Sequence, residues 1–275
     1  MSNTKLLGIL NVTPDSFSDG GLFQNHDAAV RHGRKLFAQG ADIIDVGGES
    51  NRPGAAPVSV KEELARVIPV VKTLCKEGIP VSIDTTKVHV AKQALENGAC
   101  MINDISGFQD PCMQKLAAKW NVYACVMHMQ GNPVTMQKNP VYPLGVIQTL
   151  IEFFQQKTRH LLSEGVSKDK ILLDPGVGFG KTVEDNYKIL NNLQTLRRCG
   201  YPLLIGLSRK SMLSQVLGTD SDPKQLAGPT LVMNTVAILG GADWIRVHDV
   251  KEHREAITLI KELEKARVAV ACTHH

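Results

Sequence analysis

Short apolar runs recur eight times along the chain, and each ends in a polar motif with chemical potential. Leu6–Leu10 leads into Asn11-Val-Thr-Pro-Asp15, Ile43–Val46 into Gly47-Gly-Glu49, and Pro80–Ile83 into Asp84. Met101–Ile102 leads into Asn103-Asp104, Val122–Met127 into His128, and Ile171–Leu173 into Asp174. Leu203–Leu207 leads into Ser208-Arg209-Lys210, and Trp244–Val247 carries the Arg246/His248 pair. Runs that read as apolar throughout fit strands buried on both faces, as in an all-parallel sheet. Segments of helical period lie between them. This alternation predicts one (β/α)₈ TIM barrel, a single domain over residues 1–275, with its active site where the strands end. The polar endings are therefore expected to converge on one mouth.

Helix boundaries are also marked. Ser59-Val-Lys-Glu62 reads as a capping box, followed by the stripe Val60, Leu64, Val67, Val71 and Leu74, with Pro69 expected to kink that helix. Thr182-Val-Glu-Asp185 and Asp249-Val-Lys-Glu252 read as further N-terminal caps. Gly40, Gly78, Gly98 and Gly200 fall where helices end in a left-handed residue. Three loops are long, 11–26, 47–58 and 128–143. The first two, rich in Gly, Pro, Ser and Asp, are expected to act as lids or substrate clamps.

Composition narrows the function classes. A net charge of +4 is spread along the chain, with no Lys/Arg run suited to nucleic acid. None of the six cysteines forms a CxxC pair, which argues against zinc-ribbon and thioredoxin chemistry and fits reduced thiols of a cytoplasmic protein. No apolar stretch approaches the ~18 residues of a membrane span. The opening run Leu6–Leu10 is too short for a signal sequence.

Gly176-Val-Gly-Phe-Gly-Lys181-Thr182 imitates a nucleotide P-loop but has Pro175 where the first glycine belongs, so the reading is rejected. No HExxH, GxSxG or dinucleotide fingerprint is present. What remains is a set of strand-end groups. Asp84, Asn103 and Asp174 offer acceptors and an amide to the edge of a flat heterocycle, and a 2-amino-4-oxo pyrimidine presents adjacent N–H groups that a carboxylate accepts bidentately. Lys210 adds a donor for a ring carbonyl. Arg246 and His248 alternate on the last strand and so point inward together. With Asn11 on the neighbouring first strand they suit a diphosphate, and Asn11 is a candidate Mg²⁺ ligand. Ser211 opens a helix whose backbone N–H groups favour an anion such as a carboxylate.

These motifs resemble the dihydropteroate synthase family in order and along all eight strands. The first is Gly8-Ile-Leu-Asn11-Val-Thr13-Pro14-Asp15-Ser-Phe17-Ser-Asp-Gly-Gly21, and the second Asp45-Val-Gly-Gly-Glu49-Ser-Asn51-Arg52-Pro53-Gly-Ala55. Ser82-Ile-Asp84-Thr-Thr, Ile102-Asn103-Asp104-Ile105-Ser-Gly107 and Met127-His128-Met-Gln130-Gly131 follow. Leu173-Asp174-Pro-Gly-Val-Gly-Phe179-Gly180-Lys, Gly206-Leu-Ser-Arg-Lys210-Ser211 and Arg246-Val-His248-Asp249 complete the set.

The resemblance implies an alkyl transfer. 6-Hydroxymethyl-7,8-dihydropterin diphosphate loses diphosphate in an SN1-like step, and p-aminobenzoate takes its place to give 7,8-dihydropteroate. It implies that Asp84, Asn103, Ile105, Met127, Asp174, Phe179 and Lys210 hold the pterin, and that Asn11, Arg246 and His248 hold the diphosphate with Mg²⁺. Thr13, Pro14, Phe17, Asn51, Arg52, Pro53 and Ser211 would meet p-aminobenzoate. Asp15 and Asp84 would stabilise the developing cation, and Lys210, Arg246 and His248 would share in catalysis. Sulfonamide inhibitors and a homodimer through helices away from the mouth are likewise implied. The family usually carries threonine where this chain has Asn51, so altered sulfonamide affinity is expected. Two other readings stand beside it. A pterin-binding methyltetrahydrofolate–corrinoid methyltransferase needs neither the Phe17 and Arg52-Pro53 loops nor the diphosphate pair. A non-catalytic pterin-binding module would have lost Asn11, Lys210 or His248.

Overall fold

The computed structural model describes residues 4–13, 22–50, 56–218 and 223–272, without the side chains of 22–25 and 267–272. Eight parallel strands are β1 (Lys5–Asn11), β2 (Ile43–Gly47), β3 (Val81–Asp84), β4 (Met101–Asp104), β5 (Tyr123–Met127), β6 (Ile171–Asp174), β7 (Leu204–Ile205) and β8 (Trp244–Val247). They run in the order β6-β5-β4-β3-β2-β1-β8-β7. A parallel bridge between Leu173 and Leu203 joins the two edge strands. The result is a (β/α)₈ barrel, as expected. The helices are α1 (Leu22–Ala38), α2 (Val60–Lys76), α3 (Val88–Glu96), α4 (Pro111–Trp120) and α5 (Val146–Ser163). They continue with α6 (Val183–Asn191), α7 (Leu193–Arg197), α8 (Ser211–Leu217), α9 (Ala227–Leu239) and α10 (Val250–Cys272).

Period-two alternation sorts each strand into an outer and an inner row. The outer row, including Leu10, Ile44, Val46, Ile83, Ile102, Val126 and Leu173, packs under the helices in one continuous core. The inner row begins with an apolar plug of Leu7, Ile43, Met101, Cys125, Leu172, Leu204 and Trp244. Lys5 sits 4.8 Å from the Trp244 ring at the base of that plug. One step further along the strands the inner row turns polar, and there the site begins.

Two of the expected caps are formed. Ser59 accepts the Glu62 N–H, and Thr182 with Asp185 forms a reciprocal capping box. Gly40, Gly78, Gly98 and Gly200 all have positive φ. α2 runs unbroken through Pro69. The predicted stripe needs correction at its start: Val60 is 39% exposed, whereas Glu63 is fully buried. Glu63 faces inward because it has a charge partner there, described below. The second strand also differs from the uniformly apolar run, since Asp45 sits in its middle at 0% exposure.

Candidate active site

Four of the eight strands end by aiming polar side chains at the barrel axis. Asp84, Asn103 and Asp174 are 6%, 3% and 6% exposed, at the last turnings of β3, β4 and β6. Arg246, inward on β8, donates through Nε to Asp45 at 2.6 Å and through Nη2 to Asp84 at 2.7 Å. Asn103 Nδ2 donates to the same Asp45 oxygen at 3.0 Å. Burial opposes the Arg246 charge, but Asp45 and Asp84 outweigh it and hold the guanidinium charged. Burial pushes the Asp174 carboxyl upward, against the pull of Lys210 and the Gly176 N–H. Burial pushes Lys210 down to about 8, with Asp174 pulling the other way and Arg246 adding to the depression.

The turn after β6 is anchored at nearly every peptide group. Gly176 N donates to Asp174 Oδ1 at 2.7 Å, Gly178 N to Asn186 Oδ1 at 2.7 Å, and Phe179 N to Gly176 O at 3.0 Å. The Val177 carbonyl accepts Lys210 Nζ, and the Gly178 carbonyl accepts Gln137 at 2.8 Å. The Tyr142 hydroxyl donates to Gly180 O at 2.5 Å. A Cβ on Gly176, whose φ is +65°, would lie 1.9 Å from the His128 carbonyl, so only glycine fits. The turn presents the Phe179 ring 4.5 Å from Lys210 Nζ. With the Gly176, Gly178 and Phe179 N–H groups already engaged, the turn has none of them left to cradle a phosphate.

The β7–α8 turn positions Lys210. Arg209 adopts a left-handed φ of 59°, donates its N–H to Thr230, and pairs with Asp249 at 2.7 Å. Asp249, expected as a helix cap, ties the β8 end to this turn through Arg209. Ser208 Oγ lies 2.8 Å from His248 Nδ1 and accepts the His248 N–H at 3.2 Å, fixing the imidazole at the mouth. Ser211 is the first residue of α8 and is exposed. Ile105 and Met127 are buried at the ends of β4 and β5. Asn11 ends β1 beside β8, and Thr13 follows it. Pro14, Asp15, Phe17, Asn51, Arg52 and Pro53 lie outside the described residues.

Not every polar strand ending faces the mouth. Asp104 points outward and accepts the Ser106 and Phe108 N–H groups. His128 is turned behind the β6 platform, with its ring 4.9 Å from Phe153. Glu49 accepts the Val58 N–H at 3.0 Å and pairs with Lys87, which also pairs with Glu63 at 2.5 Å. This triad joins the start and end of the second long loop to α2 and α3. A cavity of about 510 Å³ opens beside it, lined by Glu49, Pro57, Glu63, Asp84, Thr85 and Ile105 among others. Only Asp84 and Ile105 of the expected pterin set line that cavity. Lys210 is held on Val177 and Phe179, and Arg246 covers Asp45 and Asp84, so the remaining floor is closed over by its own side chains.

Sequence reading missed the roles of Asp45, which holds Arg246 and Asn103, and of Ser208, which holds His248. Asp45 carried a signal: a carboxylate inside a strand that both faces should keep apolar needs a charged partner.

Acid stability follows from His128. Burial first, and the nearby Lys181 ammonium second, lower its pKa from 6.5 to about 3. Above pH 6.5 both folded and unfolded states are neutral there. Between 6.5 and about 3 only the unfolded chain binds the proton, so stability falls as pH falls. The midpoint of thermal unfolding should drop through this window. His128→Asn, whose Oδ1 can replace the imidazole Nδ1 as acceptor, should show a shallower drop. Equal slopes for the two proteins would remove His128 from the account.

A closed parallel barrel with a carboxylate–amide–ammonium floor and an Arg/His pair on its last strand defines a heterocycle-binding barrel enzyme. A family described as pterin binding enzyme matches residues 7–248. The dihydropteroate synthase of Escherichia coli strain K12 is 44% identical over 268 residues, 97% of this chain and 94% of that protein. Among solved structures, the Yersinia pestis dihydropteroate synthase with a sulfonamide drug superposes with a TM-score of 0.89 at 44% identity, covering 95% of this chain and 94% of that one. The Clostridium difficile dihydropteroate synthase, solved in the presence of pteroic acid, gives 0.88 at 44% identity, covering 94% and 96%. The chain belongs to the pterin binding enzymes, in the dihydropteroate synthase family.

Proposed function

We propose that this barrel condenses 6-hydroxymethyl-7,8-dihydropterin diphosphate with p-aminobenzoate, releasing diphosphate and forming 7,8-dihydropteroate. The observation that carries the reading is the floor of Asp84, Asn103, Asp174 and Lys210 meeting Arg246 and His248 at one mouth. The pterin edge donates to Asp174, its carbonyl accepts from Lys210, and Met127, Ile105 and Phe179 line its faces. The diphosphate lies toward Arg246, His248 and Asn11. Pteroic acid, a pterin joined to p-aminobenzoate through a methylene, was present with the Clostridium difficile relative. A sulfonamide, which mimics p-aminobenzoate, sits on the Yersinia pestis relative. Each corresponds in chemistry to a part of the product in this reading.

In the reaction the exocyclic C–O bond breaks with its electron pair going to the diphosphate, and the positive charge spreads into the pterin. Asp84 and Asp15 stabilise that charge, while Arg246 and His248 stabilise the leaving anion. A guanidinium carries five N–H donors, and the contacts with Asp45 and Asp84 engage two of its nitrogens. Arg246 can thus serve carboxylates and diphosphate together. The arylamine nitrogen then bonds to the carbon and loses a proton to water or diphosphate, with no dedicated strong base. Ser211 takes the benzoate carboxylate.

Among the described residues no group of three His, Cys, Asp or Glu is placed to hold a metal. In this reading the Asn11 side-chain oxygen would be the protein ligand to Mg²⁺, a hard ion that keeps water and phosphate oxygens around it. Bound there, it would offset charge on the leaving group. The protein acts in the cytoplasm in this reading, consistent with five free cysteines among the described residues. No helix among the described residues is long and apolar enough to cross a membrane. Val232, Val236 and Leu239 on α9, with Leu259 and Leu263 on α10, form an exposed apolar face on two helices that pack together. That face supports a homodimer.

The test is diphosphate release from the pterin diphosphate, with and without p-aminobenzoate and Mg²⁺. Mg²⁺-dependent release, with dihydropteroate formed when the amine is present, is expected. Tight pterin binding without release would favour the methyltransferase or binding-module reading instead.

A further inference from the structure

The one P-loop-like lysine is not used by the reaction above, yet it is only 3% exposed. Its ammonium is fully engaged. Lys181 Nζ lies 3.0 Å from His128 Nδ1, 3.3 Å from the His128 carbonyl and 3.0 Å from the Phe179 carbonyl. Three acceptors meet three N–H donors. Two of them belong to the end of β5 and the third to the turn after β6. No other described side chain bonds both ends of this junction.

The junction matters because the turn's outer surface is the pterin platform. Phe179, whose carbonyl Lys181 holds, carries the ring beside Lys210. Val177, two residues earlier, accepts Lys210 itself, and the Gly178 Cα is so close that a Cβ there would lie 2.9 Å from Lys210 Cδ. Asp174 Oδ1 is oriented by the first N–H of the same turn. A shift of the turn away from His128 therefore moves the Phe179 face, the Lys210 donor and the Asp174 acceptor together. Burial pushes Lys181 down to about 7, so the site works against its charge, and keeping a lysine there with no substrate contact calls for a role.

We propose that Lys181 is a positioning residue for the pterin, a buried strut that locks the β6 turn onto the β5 end and thereby sets Phe179 and Lys210. The inference rests on the proposed pterin pocket. It assigns to this lysine an effect on pterin affinity and none on the amine substrate.

The experiment measures 6-hydroxymethylpterin binding by calorimetry, and the KM for p-aminobenzoate at saturating pterin diphosphate, in the wild-type protein and in Lys181→Met. The variant should bind the pterin at least tenfold more weakly while its KM for p-aminobenzoate changes less than twofold. The double variant Lys181→Met/His128→Leu removes the stranded imidazole as well, so it guards against a variant that fails to fold. It should regain thermal stability over the single variant and still bind the pterin weakly. Pterin affinity equal to wild type in either folded variant, or parallel losses for both substrates, would overturn the strut. A wild-type protein that binds no pterin would instead overturn the proposed pterin pocket, so the two failures are distinguishable.

Discussion

Asp174→Asn is expected to abolish measurable pterin binding while leaving the barrel folded. The carboxylate is buried at the end of β6, and one oxygen already accepts the Gly176 N–H at 2.7 Å. An asparagine oxygen can keep that contact, so the turn should stay in place. What the variant loses is bidentate acceptance, because an amide offers one acceptor and one donor where a 2-amino-4-oxo pyrimidine needs two acceptors. A hydrogen bond to a charged group contributes roughly 1.5–3 kcal/mol, and a buried mispaired donor costs about as much again. Together these amount to roughly 3 kcal/mol or more, a loss above about a hundredfold in Kd. Calorimetric titration with 6-hydroxymethylpterin reads it directly. A Kd within threefold of wild type would remove Asp174 from the pterin floor.

Arg246→Met is expected to be the most damaging substitution for stability and turnover together. The side chain bridges Asp45, fully buried, and Asp84, nearly so. Without the guanidinium, Asp45 Oδ2 keeps only the Asn103 Nδ2 donor, and Asp45 Oδ1 has no hydrogen-bond partner among the described residues. Removing one member of a buried pair leaves uncompensated charge and typically costs about 3–5 kcal/mol. Denaturant unfolding should therefore show a large fall in midpoint. Asp45→Asn in the same chain should restore part of the stability and none of the diphosphate release. Arg246→Lys should not rescue turnover, since a point ammonium cannot reproduce the planar fork that spans both carboxylates. Restored turnover in Arg246→Lys would mean that charge alone, without the fork, is what the site needs.

These two residues also show how far the chain could be read in advance. Asp174 was legible because a carboxylate at the end of an apolar run is conspicuous, and because the barrel rule says where strand ends meet. Arg246 was legible as an inward residue from alternation alone. Its partners were not, because Asp45 lies 201 residues away in the chain and contact across a barrel leaves no local signature. His128, Asp104 and Glu49 looked equivalent to Asp84 in sequence, each a polar residue after a strand. A difference of one position, or the way a loop leaves the strand, turned them to backbone contacts and ion pairs.

The sequence by itself determined the eight strands, the caps and terminal glycines of several helices, and the polar set available at the mouth. Each of these rests on short-range regularities: unbroken apolar runs, periods of two and 3.6 residues, and side chains that bond neighbouring backbone. Tertiary structure decided which polar groups face the axis and which are spent on holding the frame. It drew Glu63 inward to Lys87, turned the P-loop-like Lys181 away from the mouth onto His128, and shared Arg246 between the two buried carboxylates. The physical reason is common to all three. A buried charge is tolerated only beside its partner, and the partner is chosen by the closing of the barrel and not by proximity along the chain.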